Sequence, residues 1–148
     1  MKMFKTMMTG AVLTIAAALV TPAIAQESSY KPGSVWTASR IHVLPGQFDN
    51  YMDWLAGDWK RLREFAKKEG VELSYHVLSV NNARKDEPNL ILLIESKDYL
   101  PTAQQEAFSK KVEAMMAQDS RKQDAASGAR TKMRELMGSI EYQELVLK

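Results

Sequence analysis

The hydrophobic residues of this chain change their spacing in a fixed order, and that order limits the folds open to it. Over residues 34–44 the spacing is two. Val35, Thr37, Ser39, Ile41 and Val43 fall on one side, and Trp36, Ala38, Arg40, His42 and Leu44 on the other. Alternation over that length predicts a strand with two different faces, and Pro45-Gly46 ends it. Over residues 47–68 the spacing becomes three and four, with Phe48, Tyr51, Met52, Leu55, Trp59, Leu62, Phe65 and Ala66 in one stripe. This predicts a long amphipathic helix. Asp49 and Asp53 near its start and Lys67-Lys68 in its last turn suit the helix dipole, and Gly70 is a natural stop.

Residues 71–80 predict a second strand, residues 81–88 a charged hairpin loop, and residues 89–97 a third strand. The centre of the third strand, Leu90-Ile91-Leu92-Leu93-Ile94, is apolar on both faces, as in a strand covered on both sides. A helix follows over residues 103–117, with Phe108, Val112, Met115 and Met116 at helical spacing. Asp119-Ser120 can cap a further helix over residues 121–137, with Ala125, Ala126, Ala129, Met133, Leu136 and Met137 inward and Gly138 at its end. Residues 139–148 complete the pattern as a last strand. The order β-α-β-β-α(α)-β predicts an α+β domain of the ferredoxin-like, split β-α-β kind, with a four-stranded antiparallel sheet and helices on one face. The doubly apolar third strand then requires cover on the other face. A second copy packed sheet against sheet would supply it and give a two-fold homodimer. The alternative is that the extra helical segment folds over Trp36 and Leu93.

Residues 1–25 read as something other than fold. Lys2 and Lys5 give a basic start, residues 7–20 are uncharged and mostly apolar, and Pro22 precedes a small-x-small triplet, Ala23-Ile24-Ala25. This predicts a Sec-type signal peptide cleaved after Ala25, and hence a periplasmic or secreted protein. The apolar run is shorter than the ~20 residues of a spanning helix, so no stable membrane anchor is expected after cleavage. Residues 26–33 read as a flexible leader and residues 34–148 as the domain. Without Lys2 and Lys5 the 20 basic residues fall to 18, equal to the 18 acidic ones. That balance offers no surplus charge for phosphates and argues against a nucleic-acid partner. With no Cys in the chain, disulfides, Cys-ligated metal and thiol catalysis are excluded.

If Ile41 and Val43 face the helices, Trp36, Arg40 and His42 share the opposite face. His42 can act as acid or base, or ligate a metal or haem. Arg40 can hold a carboxylate, and Trp36 can stack on a planar molecule. The plainer reading of the trio is interface packing, with the charges met by Glu72, Glu95, Glu141 or Glu144. His76 alternates with Glu72 and Ser74 on the second strand. Two histidines without a fixed carboxylate spacing do not define a metal site, and His76 equally suits an edge strand near solvent. Glu95, after the apolar run, can serve as a base where burial raises its pKa, or can pair with a neighbouring Arg or Lys. Trp54 lies off the main helical stripe and marks an interaction surface or, with Trp59, the wall of an apolar pocket. Met52, Met115, Met116, Met133 and Met137 read as core filler. The chain contains neither a Gly-rich phosphate loop nor a Gly-x-Ser-x-Gly elbow nor His-Glu-x-x-His.

The run Ile41-His42-Val43-Leu44-Pro45-Gly46-Gln47-Phe48 leads from a strand into a long helix. With the strand, charged hairpin and apolar strand that follow, it resembles the dimeric α/β-barrel superfamily. Its antibiotic-biosynthesis monooxygenase-like members share the hydrophobic-x-Pro-Gly turn. The resemblance spans residues 35–148 and implies a ferredoxin-like dimeric barrel. Such a family includes cofactor-independent oxygenases, haem-degrading enzymes and secreted proteins of unknown role. The long first helix and the doubled second helical region depart from the compact monooxygenase pattern, and no complete catalytic set matches residue by residue. The resulting expectation is an exported homodimer that acts as a ligand-binding or interaction module. Its pocket for a small apolar or planar ligand would lie on the sheet face, among Trp36, Arg40, His42, His76 and Glu95, and no cofactor is predicted. The alternative is a cofactor-independent oxygenase or haem-associated enzyme that uses His42 and Arg40.

Overall fold

A computed structural model describes residues 27–148; the expected signal peptide, residues 1–25, lies outside them. Strand β1 (Tyr30–Val43) leads into a helical rod of three consecutive pieces: α1 (Phe48–Trp54), a π-helical turn (Leu55–Trp59) and α2 (Lys60–Lys68). Strands β2 (Ser74–Ser79) and β3 (Leu90–Ser96) follow, then α3 (Thr102–Met116), α4 (Ser120–Ala129), a short 3₁₀ turn (Arg130–Lys132) and β4 (Arg134–Leu147). The four strands form one sheet in the order β2-β3-β1-β4, and each neighbouring pair is antiparallel. This is the α+β, split β-α-β arrangement read from the periodicities.

Local chemistry explains the main joints. Gly46 takes φ 76° in the turn after β1, a conformation open to glycine at little cost. At the end of the rod Gly70 takes φ 72°. There the Gly70 N–H donates to the Lys67 carbonyl and the Val71 N–H to the Ala66 carbonyl, which satisfies carbonyls the helix end would leave orphaned. Asp119 caps α4, its carboxylate accepting from the Lys122 N–H at 2.8 Å. The core lies between the rod and one face of the sheet. Ile41, Val43, Leu90 and Leu92 from the strands meet Tyr51, Leu55 and Trp59 from the rod. The other helices join the rod on that side: Phe108 of α3 stacks on Phe65 at 6.0 Å, and Arg130 lies over Trp54. The extra helical segment therefore does not cover Trp36 and Leu93. Among the described residues, no helix is long and apolar enough to cross a membrane.

Three boundaries differ from the sequence reading, the first being that of β2, which begins at Ser74 and leaves residues 71–73, Glu72 among them, outside the strand. β1 begins at Tyr30, so the second half of the expected leader is strand. Tyr30, Lys31 and Pro32 pair with Leu147, Val146 and Leu145, beyond the reach of β3, whose pairing with β1 begins at Val35. The last helix stops at Ala129, and the chain enters β4 at Arg134. Gly138, expected to stop a helix, instead sits within β4 at φ 88°. It lies beside the register shift between Ser39 and Ile41, where a glycine accommodates a bulge. Leu136, expected inward on a helix, becomes a strand residue paired with Ile41 and is 59% exposed.

Candidate functional site

Directly paired residues of an antiparallel sheet share a face, so the register specifies the face turned away from the helices. One row across it is Ser74, Glu95, Trp36 and Tyr142; the next is His76, Leu93, Ala38 and Ile140; a third is Leu78, Ile91 and Arg40. His42 lies further along β1, opposite Glu135. Apolar side chains dominate, and none of the helices covers them: Leu78, Ile140 and Tyr142 are exposed, and Trp36, Ile91 and Leu93 only partly buried. Ala38 alone is buried, at 7% exposure, because its larger neighbours shade a methyl group. The Trp36 and His76 rings reach towards one another over β3 and stack at 6.5 Å, with 17° between their planes.

The register thus brings Trp36, Arg40, His42, His76 and Glu95 onto one face. Their surroundings differ in part from the sequence reading. The Glu95 carboxylate accepts from the Ser74 hydroxyl at 2.7 Å, rather than from an Arg or Lys. Of the acids considered as partners for Arg40 and His42, Glu72 is buried and pairs with Arg63. Glu144 accepts from the backbone N–H and the hydroxyl of Ser34, both at 3.1 Å. Glu141 pairs with Thr37 on the helix side of the sheet. Among the described residues, neither Arg40 nor His42 forms an ion pair. No group of three or more His, Asp or Glu among them is placed to hold a metal ion.

On the helix side, the sixth candidate, Trp54, lines a cavity together with Trp59, one of the two places the sequence reading offered for it. Its indole is half-buried, stacked on Tyr51 at 5.4 Å, with the Arg130 guanidinium 4.4 Å from its ring centre. Arg134, 7% exposed, lies 5.7 Å from the Tyr51 ring centre. A cavity of about 260 Å³ opens beside these residues, lined by Trp54, Trp59, Leu62, Val112 and Met116, with Asp58, Gln118, Gln123 and Arg130 as its polar groups. The π-helical turn builds this wall. Residues five apart, such as Trp54 and Trp59, stand about 140° apart on a regular α-helix; a turn with i→i+5 bonding brings them towards the same side.

The electrostatics of this second site are uneven. Burial lowers the pKa of Arg130 and the Arg134 charge lowers it further, while Tyr51 and Asp58 draw it back up in part. Burial raises the Tyr51 phenol above its ordinary value, while Arg134 and Arg130 pull it back. The Nε atoms of both arginines are buried without a hydrogen-bond partner among the described residues, and neither guanidinium forms an ion pair there. Arg130 and Arg134 escaped the sequence reading because a long final helix would have absorbed both as ordinary surface charges.

No protein-family model matches the chain, and no curated protein matches it. Among solved structures it is similar to the crystal structure of protein SO0527 from Shewanella oneidensis, at 15% sequence identity and a TM-score of 0.47, over 79% of this chain and 98% of that one.

Proposed function

We propose that this protein is an exported, self-associating binding module, in which two copies bury the face carrying Trp36, Leu93 and Ile140 against each other. One observation carries this reading: on the uncovered face Leu78, Ile91, Leu93, Trp36, Ile140 and Tyr142 place apolar side chains on all four strands. Leaving such a surface in water is unfavourable at roughly 25 cal/mol per Å² of apolar area, and large patches of this kind mark interaction sites. An isologous contact between two sheets would cover the same rows on both copies. Arg40, His42 and the Trp36–His76 stack would then edge a shared chamber suited to a small planar or apolar ligand. Export to the periplasm follows from the basic, apolar and small-residue segments of residues 1–25.

The test is to express the full chain, recover it from the periplasmic fraction, and measure its mass, absorption spectrum and sedimentation. The reading expects cleavage after Ala25 and a dimer, and it expects Leu93→Glu to be a folded monomer with an unchanged far-ultraviolet circular dichroism spectrum. A wild-type monomer, or a dimer that Leu93→Glu leaves intact, overturns the sheet-to-sheet contact. A visible chromophore that is lost in His42→Ala would replace the binding module with the haem-associated alternative.

A further inference from the structure

We propose that the cavity between the π-helical turn and the α3–α4 corner binds a planar aromatic anion, a carboxylate carried on one or two rings. This site shares no residue with the sheet face and does not depend on self-association.

The cavity has an apolar wall and a cationic end. Trp54, Trp59, Val112 and Met116 supply the wall and Arg130 the end; Arg134 lies outside the lining, against Tyr51, and acts on Arg130 through its charge. At about 260 Å³ it lies just below the usual range of roughly 300–1,000 Å³ for small-molecule pockets, which restricts it to a compact ligand. Its charge is unbalanced. Two neighbouring guanidinium groups repel each other and lose hydration on burial, a cost ordinarily offset by a carboxylate. Among the described residues the only acid lining the cavity is Asp58; its charge partly offsets that of Arg130, but it is shared with Arg61 at 3.4 Å and forms no ion pair with Arg130. A guanidinium held on a ring face has its cation–π partner yet keeps its planar fork of N–H donors, which matches a carboxylate edge. An inorganic anion would satisfy Arg130 but leave the indole wall in water. An uncharged aromatic would fill the wall but leave Arg130 unpaired. A flat aromatic carboxylate meets both requirements.

The probe is 1-naphthoate, titrated calorimetrically into the full-length chain beside its uncharged analogue 1-naphthylmethanol. Saturable binding of naphthoate, at least about tenfold tighter than that of the alcohol, is expected. Arg130→Gln should weaken naphthoate about tenfold or more and leave the alcohol unchanged, whereas Leu93→Glu should alter neither. No binding of naphthoate, or equal binding of the two compounds, overturns the proposal. So does an Arg130→Gln protein that binds naphthoate as the wild type does, or loss of binding in a folded Leu93→Glu protein, which would move the site to the sheet. Arg130 is only partly buried, and should Arg130→Gln fail to fold, the comparison of the two compounds on the wild-type chain decides alone.

Discussion

Arg130 holds its guanidinium 4.4 Å from the centre of the Trp54 indole, and this contact fastens the 3₁₀ turn before β4 to the π-helical region of the rod. Cation–π contacts contribute about 0.5–1 kcal/mol when exposed and about 2 kcal/mol or more when desolvated. A half-buried indole under a partly buried guanidinium falls between those limits. Arg130→Ala alone should cost little, because it also relieves the repulsion from Arg134. A double-mutant cycle with Trp54→Leu, followed by urea unfolding and circular dichroism, should therefore return a coupling of about 1–2 kcal/mol. Additive effects would show that the two side chains lie together without attracting one another.

Asn89 fixes the end of β1 next to His42. The Val43 N–H donates to its Oδ1 at 2.8 Å, and its Nδ2 donates to the Val43 carbonyl at 2.9 Å. The Asn89 N–H donates in turn to the Ile41 carbonyl at 3.0 Å. One side-chain amide thus satisfies both backbone groups of Val43 where β3 no longer pairs with β1. Asn89→Ala leaves two partly buried groups unsatisfied, at about 1–3 kcal/mol for such a group, and should lower stability by about 2 kcal/mol. Asn89→Asp keeps an acceptor for the N–H but turns an oxygen towards the Val43 carbonyl, so at neutral pH it should be no better than alanine. Hydrogen exchange at the Val43 amide checks the local effect: protection should fall in both variants, and unchanged protection would mean the contact does not hold the strand.

The parts of this fold legible in sequence are those where one periodicity governs a whole element. Alternation from Val35 to Val43 specified both faces of β1, and with them the shared placement of Trp36, Arg40 and His42. The doubly apolar run from Leu90 to Ile94 marked the central strand, whose far side the helices leave uncovered. What was not legible depends on departures from regular period. The pairing of Trp54 with Trp59 on one wall was among the sequence readings, but the π-helical turn that brings them towards one side was not, since a 3.6-residue wheel assigns them to separate faces. Gly138 reads as a helix stop because its left-handed backbone serves C-caps and bulges alike. Only pairing with β1 decides between them, and that pairing is non-local. The same ambiguity concealed Arg130 and Arg134, since their convergence on Tyr51 and Trp54 requires the chain to leave the helix at Ala129.

Arg63 and Glu72 form an ion pair with side chains only 14% and 7% exposed, between the end of the rod and the start of β2. Burial raises the Glu72 carboxyl above its ordinary value, and the Arg63 guanidinium draws it back down. Removing Arg63 therefore leaves the upward push unopposed. In Arg63→Met the folded state should bind the Glu72 proton still more tightly than the unfolded chain does. Where the folded state holds more protons, stability falls as pH rises. Because Glu72 is already raised in the wild type, the variant's deficit should be small below the wild-type folded value and should grow as pH climbs from there towards the variant's higher one. At neutral pH it should approach the roughly 3–5 kcal/mol typical of a buried pair broken on one side. Arg63→Met combined with Glu72→Leu removes the stranded charge along with its partner, and should recover most of that loss and its pH dependence, since apolar replacements of buried pairs are often neutral or stabilising. Urea unfolding of the wild type and both variants at pH 5 and pH 7 separates the effects. A deficit in Arg63→Met that is the same at both values would show that Glu72 stays ionised without Arg63, and that the loss comes from the packing of Arg63 on the Trp59 ring at 5.8 Å.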